Sequence, residues 1–102
     1  MGEFVRVADS AEVAEGELAA FDVGGERIAV ANVGGTFHAF NDTCTHLRCS
    51  LAEGELEGTV VTCPCHGSQF DVTSGEVLRG PAQEPVQSYA VRVENEALRV
   101  EL

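Results

Sequence analysis

Cys44-Thr45-His46-Leu47-Arg48-Cys49 and Cys63-Pro64-Cys65-His66-Gly67-Ser68 each set a thiol beside an imidazole, and residues 47–62 give enough chain for the two runs to face each other. A two-iron cluster with cysteine on one iron and histidine on the other takes one Cys and one His from each of two loops. The spacing points to one [2Fe-2S] site per chain, with Cys44 and Cys63 on one iron and His46 and His66 on the other. A single C-x-x-H would carry little weight, whereas two mixed motifs at this separation are specific. A structural zinc module could use the same four donors. Zinc fingers, however, pair Cys with Cys and His with His, while each run here mixes the two.

With those residues placed, the chain resembles the Rieske family, whose motifs read C-x-H and then C-x-x-H. Phe37-His38-Ala39-Phe40-Asn41-Asp42-Thr43, Gly67-Ser68-Gln69-Phe70-Asp71 and the Gly80-Pro81 loop carry the resemblance over most of the chain. It implies a one-electron carrier whose extra electron sits on the His-bound iron. Neutral imidazoles in place of thiolates lift such centres to about −150 to +300 mV, against about −400 mV for plant-type ferredoxins.

The resemblance also assigns neighbours of the cluster. Cys49 and Cys65 match the positions that form a loop-to-loop disulfide in the high-potential branch, although a reducing cytoplasm disfavours such bonds and two buried free thiols are the alternative. Ser68 matches a hydroxyl that donates to a bridging sulfide and so favours the reduced cluster. Phe70 stands where the high-potential branch has a tyrosine donating to a ligand sulfur, and Arg48 where that branch usually has glycine. The Phe70 departure argues for a lower potential than that branch, although the Cys49 and Cys65 pair pulls the other way, and Arg48 reads otherwise as a solvated surface charge. Gly80-Pro81-Ala82-Gln83-Glu84-Pro85 resembles the loop that covers the cluster from a third side, a simple surface turn being the alternative. Pro64 stiffens its loop and Gly67 lets the backbone turn beside the cluster. His38 reads as a strand residue, since both ligand histidines are already supplied.

Around the motifs, short apolar runs alternate with Gly, Asp and Asn: 4–7, 17–23, 27–33, 36–40, 59–62, 69–72, 86–93 and 97–102. This pattern predicts an all-β fold, a small antiparallel sandwich. Gly24-Gly25 and Gly34-Gly35 predict tight hairpins joining residues 17–40 into a meander. Asn95-Glu96 predicts the turn of a terminal hairpin whose two strands each bury one face, with Tyr89, Val91 and Val93 together on one side. Asp9 to Glu15 reads as a helical turn or two, capped by Asp9 or Ser10 and stopped by Gly16. The whole chain, 1–102, reads as one domain, with a cluster-binding subdomain inserted at about 41–85.

A chain of 102 residues is small enough to gain from a cofactor staple. Seventeen acidic against six basic side chains give a formal charge of −11, which disfavours nucleic acid and anionic lipid. That charge either steers the chain toward a basic partner or merely keeps it in solution. The N-terminus shows no signal peptide and no window approaches a membrane span, so a soluble, cytoplasmic protein is expected.

Nothing resembles a mononuclear iron site, a nucleophilic triad or a nucleotide fingerprint. The expectation is therefore an electron-transfer protein rather than an enzyme. As a soluble Rieske-type ferredoxin it would be a monomer passing electrons from a flavin-dependent reductase to a terminal aromatic-ring oxygenase. The small Rieske-type subunit of a nitrite reductase is the redox alternative.

Overall fold

The computed structural model describes residues 2–46 and 48–102; Leu47 of the first motif lies outside the described residues. The meander of β2 (Leu18–Val23), β3 (Glu26–Val33) and β4 (Thr36–Asn41) turns through Gly24-Gly25 and Gly34-Gly35. All four glycines have positive φ, between 57° and 93°, which only glycine takes freely. β9 (Ser88–Tyr89) pairs with β4 and completes this middle sheet in the order β2-β3-β4-β9.

A second sheet joins the two ends of the chain. β11 (Ala97–Glu101) runs between β1 (Phe4–Asp9) and β10 (Val91–Glu94), and the β10–β11 turn uses Asn95 and Glu96 at φ 50° and 64°. A third sheet, β5 (Glu55–Glu57), β6 (Val60–Thr62), β7 (Gln69–Asp71) and β8 (Val77–Arg79), is a consecutive antiparallel meander. Asp9 precedes a short 3-10 turn, Ser10–Glu12, and the backbone N–H of Asp9 donates to Glu12 Oε2 at 2.9 Å. Among the described residues no helix is long and apolar enough to cross a membrane.

β3 explains the layering. Successive side chains on a strand point to opposite faces, and Ile28 and Val30 enter one core with Val13, Val23, Leu98 and Val100. Ala29 and Ala31 enter the other with Phe40, Leu51, Val61, Phe70, Cys44 and Cys63. The middle sheet is thus buried on both faces, which is why residues 28–31 read as an unbroken apolar run. Its small alanines face the side that receives the cysteine-bearing loops.

Three expectations need correction. The run 86–93 is not one strand: Val86 is buried in the second core, β9 pairs in the middle sheet, and β10 pairs in the terminal sheet after a break at Ala90. One segment crosses from sheet to sheet. Val93 does not share a buried face with Tyr89 and Val91, being 48% exposed on the outermost strand near the tip of its hairpin. β5 and β8 are additional strands. β5 reads Glu-Leu-Glu with a single apolar residue, and β8 meets β7 through a bulge, so neither shows a clean period-two pattern.

Candidate metal centre

Two loops leave the strands that frame the second core. The first leaves β4 and is closed at its base by backbone hydrogen bonds, Cys44 N–H to Cys49 C=O at 2.9 Å and Leu51 N–H to Asp42 C=O at 2.8 Å. Arg48 donates its N–H back to the Cys44 carbonyl at 2.9 Å and takes φ 58°, the left-handed region. Thr43 and Ser50 form a further antiparallel bridge.

Asp42 organises that base. It is 1% exposed, and its carboxylate accepts from Ser50 Oγ at 2.6 Å, Ala52 N–H at 2.8 Å and Arg27 Nε at 3.1 Å. A buried carboxylate is tolerable because a cation and two neutral donors surround it. The sequence reading passed over this residue. Its one available signal was an acidic side chain two positions before Cys44, at the end of an apolar strand.

The second loop links β6 to β7. Cys63 N–H donates to Ser68 C=O at 2.7 Å and Gly67 N–H to Cys63 C=O at 3.2 Å, with Gly67 at φ 80°. The third loop follows β8 through a cis Gly80–Pro81 bond. Its Ala82 N–H donates to Ser68 Oγ at 3.0 Å, and Thr45 Oγ1 donates to the Glu84 carbonyl at 2.7 Å. Because Ser68 Oγ accepts from the third loop, its own proton is free to point elsewhere. Thr45 was also missed; its hydroxyl is what ties the first loop to the third.

These loops sort the donors by chemistry. The Cys44 and Cys63 side chains are free thiols buried together in the second core. Burial pushes the Cys63 thiol above its ordinary pKa, the Cys44 contact adds to this, and backbone N–H groups of Cys65 and His66 oppose it. Iron binding must displace that proton. His46 and His66 are exposed, their rings edge to face with centroids 5.5 Å apart. Two soft sulfurs inside and two imidazoles outside make a donor set that would suit a [2Fe-2S] cluster.

Cys49 and Cys65 are joined as a disulfide, Cα to Cα 6.5 Å, which cross-links the first loop to the second. The Cys49, Cys63 and Cys65 sulfurs lie within 4.8 Å of one another, but the disulfide occupies two of them, so this trio is not a separate metal site. Phe70 is fully buried in the core that holds Cys44 and Cys63. His38 lies on β4 opposite Ala31 and lines a shallow groove with Thr73 and Tyr89, apart from the two loops.

The family described as the Rieske [2Fe-2S] domain matches residues 3–90. The chain belongs to the Rieske family. Its cofactor is a [2Fe-2S] cluster, and its role is electron transfer rather than catalysis. This Rieske chain is 39% identical over 97 residues to the ferredoxin component of biphenyl 2,3-dioxygenase from Rhodococcus jostii (strain RHA1), covering 95% of this chain and 91% of that one. The Rieske fold is shared with the Sphingomonas yanoikuyae B1 ferredoxin, at TM-score 0.92 and 31% identity, over 98% of this chain and 99% of that one. A chain in the complex of reduced oxygenase and oxidised ferredoxin in carbazole 1,9a-dioxygenase aligns at TM-score 0.89 and 34% identity, over 96% of this chain and 92% of that one.

Proposed function

We propose that Cys44 and Cys63 hold the inner iron and His46 and His66 the outer one, and that the chain carries single electrons from a flavin-dependent reductase to the terminal oxygenase of an aromatic-ring dioxygenase system. The observation that carries this reading is the pair of exposed imidazoles outside a buried pair of thiols. When bound, the cluster takes up and releases one electron. The thiols exclude water at its inner end. The imidazoles leave a short path from its outer end to a partner's surface.

Ser68 and Phe70 tune the site in this reading. Ser68 keeps a hydroxyl proton available toward the cluster, whereas Phe70 fills its core position with no donor at all. The cluster-binding unit spans about 41–85, and the cytoplasm is the compartment in which the reductase and oxygenase meet it. Named relatives from dioxygenase systems support the partners, because the biphenyl ferredoxin component is similar over nearly the whole chain.

The test is purification without air. The expected material contains two irons and two acid-labile sulfides per chain, and dithionite reduction gives a rhombic EPR signal. His66→Ala should lose that signal while still folding. Mixed with a flavin-dependent reductase and the terminal oxygenase of an aromatic-ring dioxygenase system, the intact protein should be required for turnover. Colourless protein with bound zinc would overturn the reading.

A further inference from the structure

We propose that the Cys49–Cys65 bridge and the Cys63 thiol form an internal exchange set: when the site is empty the bridge migrates from Cys65 to Cys63, and cluster binding holds it at Cys65. The inference rests on Cys63 being an iron ligand, as proposed above, and adds what becomes of that ligand when no iron is bound. The observation behind it is the sulfur trio. The Cys49, Cys63 and Cys65 sulfurs all lie within 4.8 Å of one another, two of them bridged and the third a free thiol. A thiol at that range reaches a disulfide by side-chain rotation alone, with no movement of the loops.

The exchange balances without an oxidant. Cys63 gives its proton to solvent, its sulfur bonds to Cys49 Sγ, and the Cys49–Cys65 bond breaks. Cys65 leaves as a thiolate and takes up a proton. One disulfide and two thiols are present throughout, but the thiols change from Cys44 and Cys63 to Cys44 and Cys65.

Burial sets the direction of attack. Cys65 is exposed, Cys49 is half-buried and Cys63 is buried. Water solvates a leaving thiolate at Cys65, whereas burial disfavours the charged form at Cys49. Attack on Cys65 instead would close a small ring within Cys63-Pro64-Cys65, where proline fixes one φ, and would unlink the two loops. A Cys49–Cys63 bridge still joins the first loop to the second. It does so at the cost of a ligand.

Iron and the bridge therefore compete for one sulfur. A ligand that binds one of two forms shifts the balance toward that form, so iron on Cys63 returns the bridge to Cys65. Migration, in turn, withdraws one of the four donors from the empty site. Reloading then waits on the slow return of the bridge, and this delay needs no partner protein.

The test maps the thiols. EDTA strips iron from holoprotein under flowing argon, which carries off sulfide, and samples are quenched over time with N-ethylmaleimide in denaturant. Digestion after Arg and Glu separates Cys49 from Cys63 and Cys65, because Glu53, Glu55 and Glu57 lie between them. Fragmentation in the mass spectrometer then tells label on Cys63 from label on Cys65. Labelled Cys65 and a Cys49–Cys63 linkage should grow together over hours, to about tenfold or more above parallel holoprotein, with the number of free thiols unchanged. In Cys63→Ser apoprotein the Cys49–Cys65 bridge should stay intact and Cys65 unlabelled.

Label confined to Cys44 and Cys63, label on Cys49, or a changed thiol count would overturn the exchange. So would label on Cys65 in Cys63→Ser apoprotein, since Cys63 would then not be the attacking group. Native holoprotein whose Cys63 alkylates as fast as in apoprotein would overturn the ligand assignment instead, and the coupling to iron would fall with it.

Discussion

Under the proposed ligand arrangement, Phe70 is a position where one added atom would change the redox character of the site. Its ring is fully buried among Cys44, Cys63, Val61 and Leu51. A tyrosine there would have to place its hydroxyl against a ligand sulfur or leave it unpaired, at about 1–3 kcal/mol. Donation to a sulfur favours the more negative, reduced cluster, so Phe70→Tyr is expected to raise the midpoint potential; protein-film voltammetry giving an unchanged or lower value would refute that account. Arg48 offers the opposite case, a residue whose conformation is unfavourable. L-residues in the left-handed region lose about 1–2 kcal/mol and glycine loses little, though glycine adds freedom to the unfolded chain. Arg48→Gly should therefore gain about 0.5–1 kcal/mol, seen as a thermal midpoint a few degrees higher, and a fall in the midpoint would show that the arginine is held by contacts of its own.

At the scale of elements, the β7–β8 turn holds the third sheet against the middle one. Gly75 sits there at φ 86°, and a Cβ on it would run into the Val86 carbonyl, which also accepts no room for adjustment because Val86 N–H bonds Gly75 C=O at 2.9 Å. Gly75→Ala should destabilise by about 2–4 kcal/mol through strain and backbone clash, read as a large fall in thermal midpoint. Asp71 closes the same turn, accepting from Thr73 Oγ1 at 2.6 Å and Thr73 N–H at 2.8 Å. Those two bonds, helped by His38 and opposed by partial burial, hold its carboxyl below the usual range. The folded pKa lies below the unfolded value of about 3.9, so the stabilisation is complete above that pH and disappears as pH falls through the folded pKa. Asp71→Ala should lose about 1 kcal/mol at pH 7, and its deficit against wild type should shrink below about pH 4; a constant deficit would assign the loss to packing instead. The meander through residues 18–41 was legible because Gly-Gly pairs and alternating apolar residues impose it locally. β5, β8 and the crossing at Ala90 were not, since what fixes them is pairing with strands distant in sequence and a bulge that erases the period. The family was legible from the paired Cys and His motifs for a chemical reason, that thiol and imidazole spacing in a loop has few other uses. Asp42 and Thr45 were not, because their roles depend on partners such as Arg27 and Glu84 that only the fold brings near.

For the whole molecule, the site lies where the third sheet meets the middle one, so whatever ties its loops together also ties layers of the fold. A domain of this size buries a modest share of its surface, and cross-links count for correspondingly more. The Cys49–Cys65 disulfide spans a sequence separation of 16 residues. Closing a loop of that length removes roughly 3 kcal/mol of unfolded-state freedom. At about 4–8 °C per kcal/mol for a domain of this length, Cys49→Ser/Cys65→Ser should lower the thermal midpoint of the holoprotein by more than about 10 °C. The bridge also restrains the two loops that carry both thiols and both imidazoles. If that restraint matters to the site, the double variant should lose its visible absorbance in air faster than wild type even far below its thermal midpoint, where global unfolding is negligible. A variant that melts earlier yet bleaches at the wild-type rate would confine the disulfide's role to the unfolded chain and leave the loops held by Asp42, Ser68 and Thr45 alone.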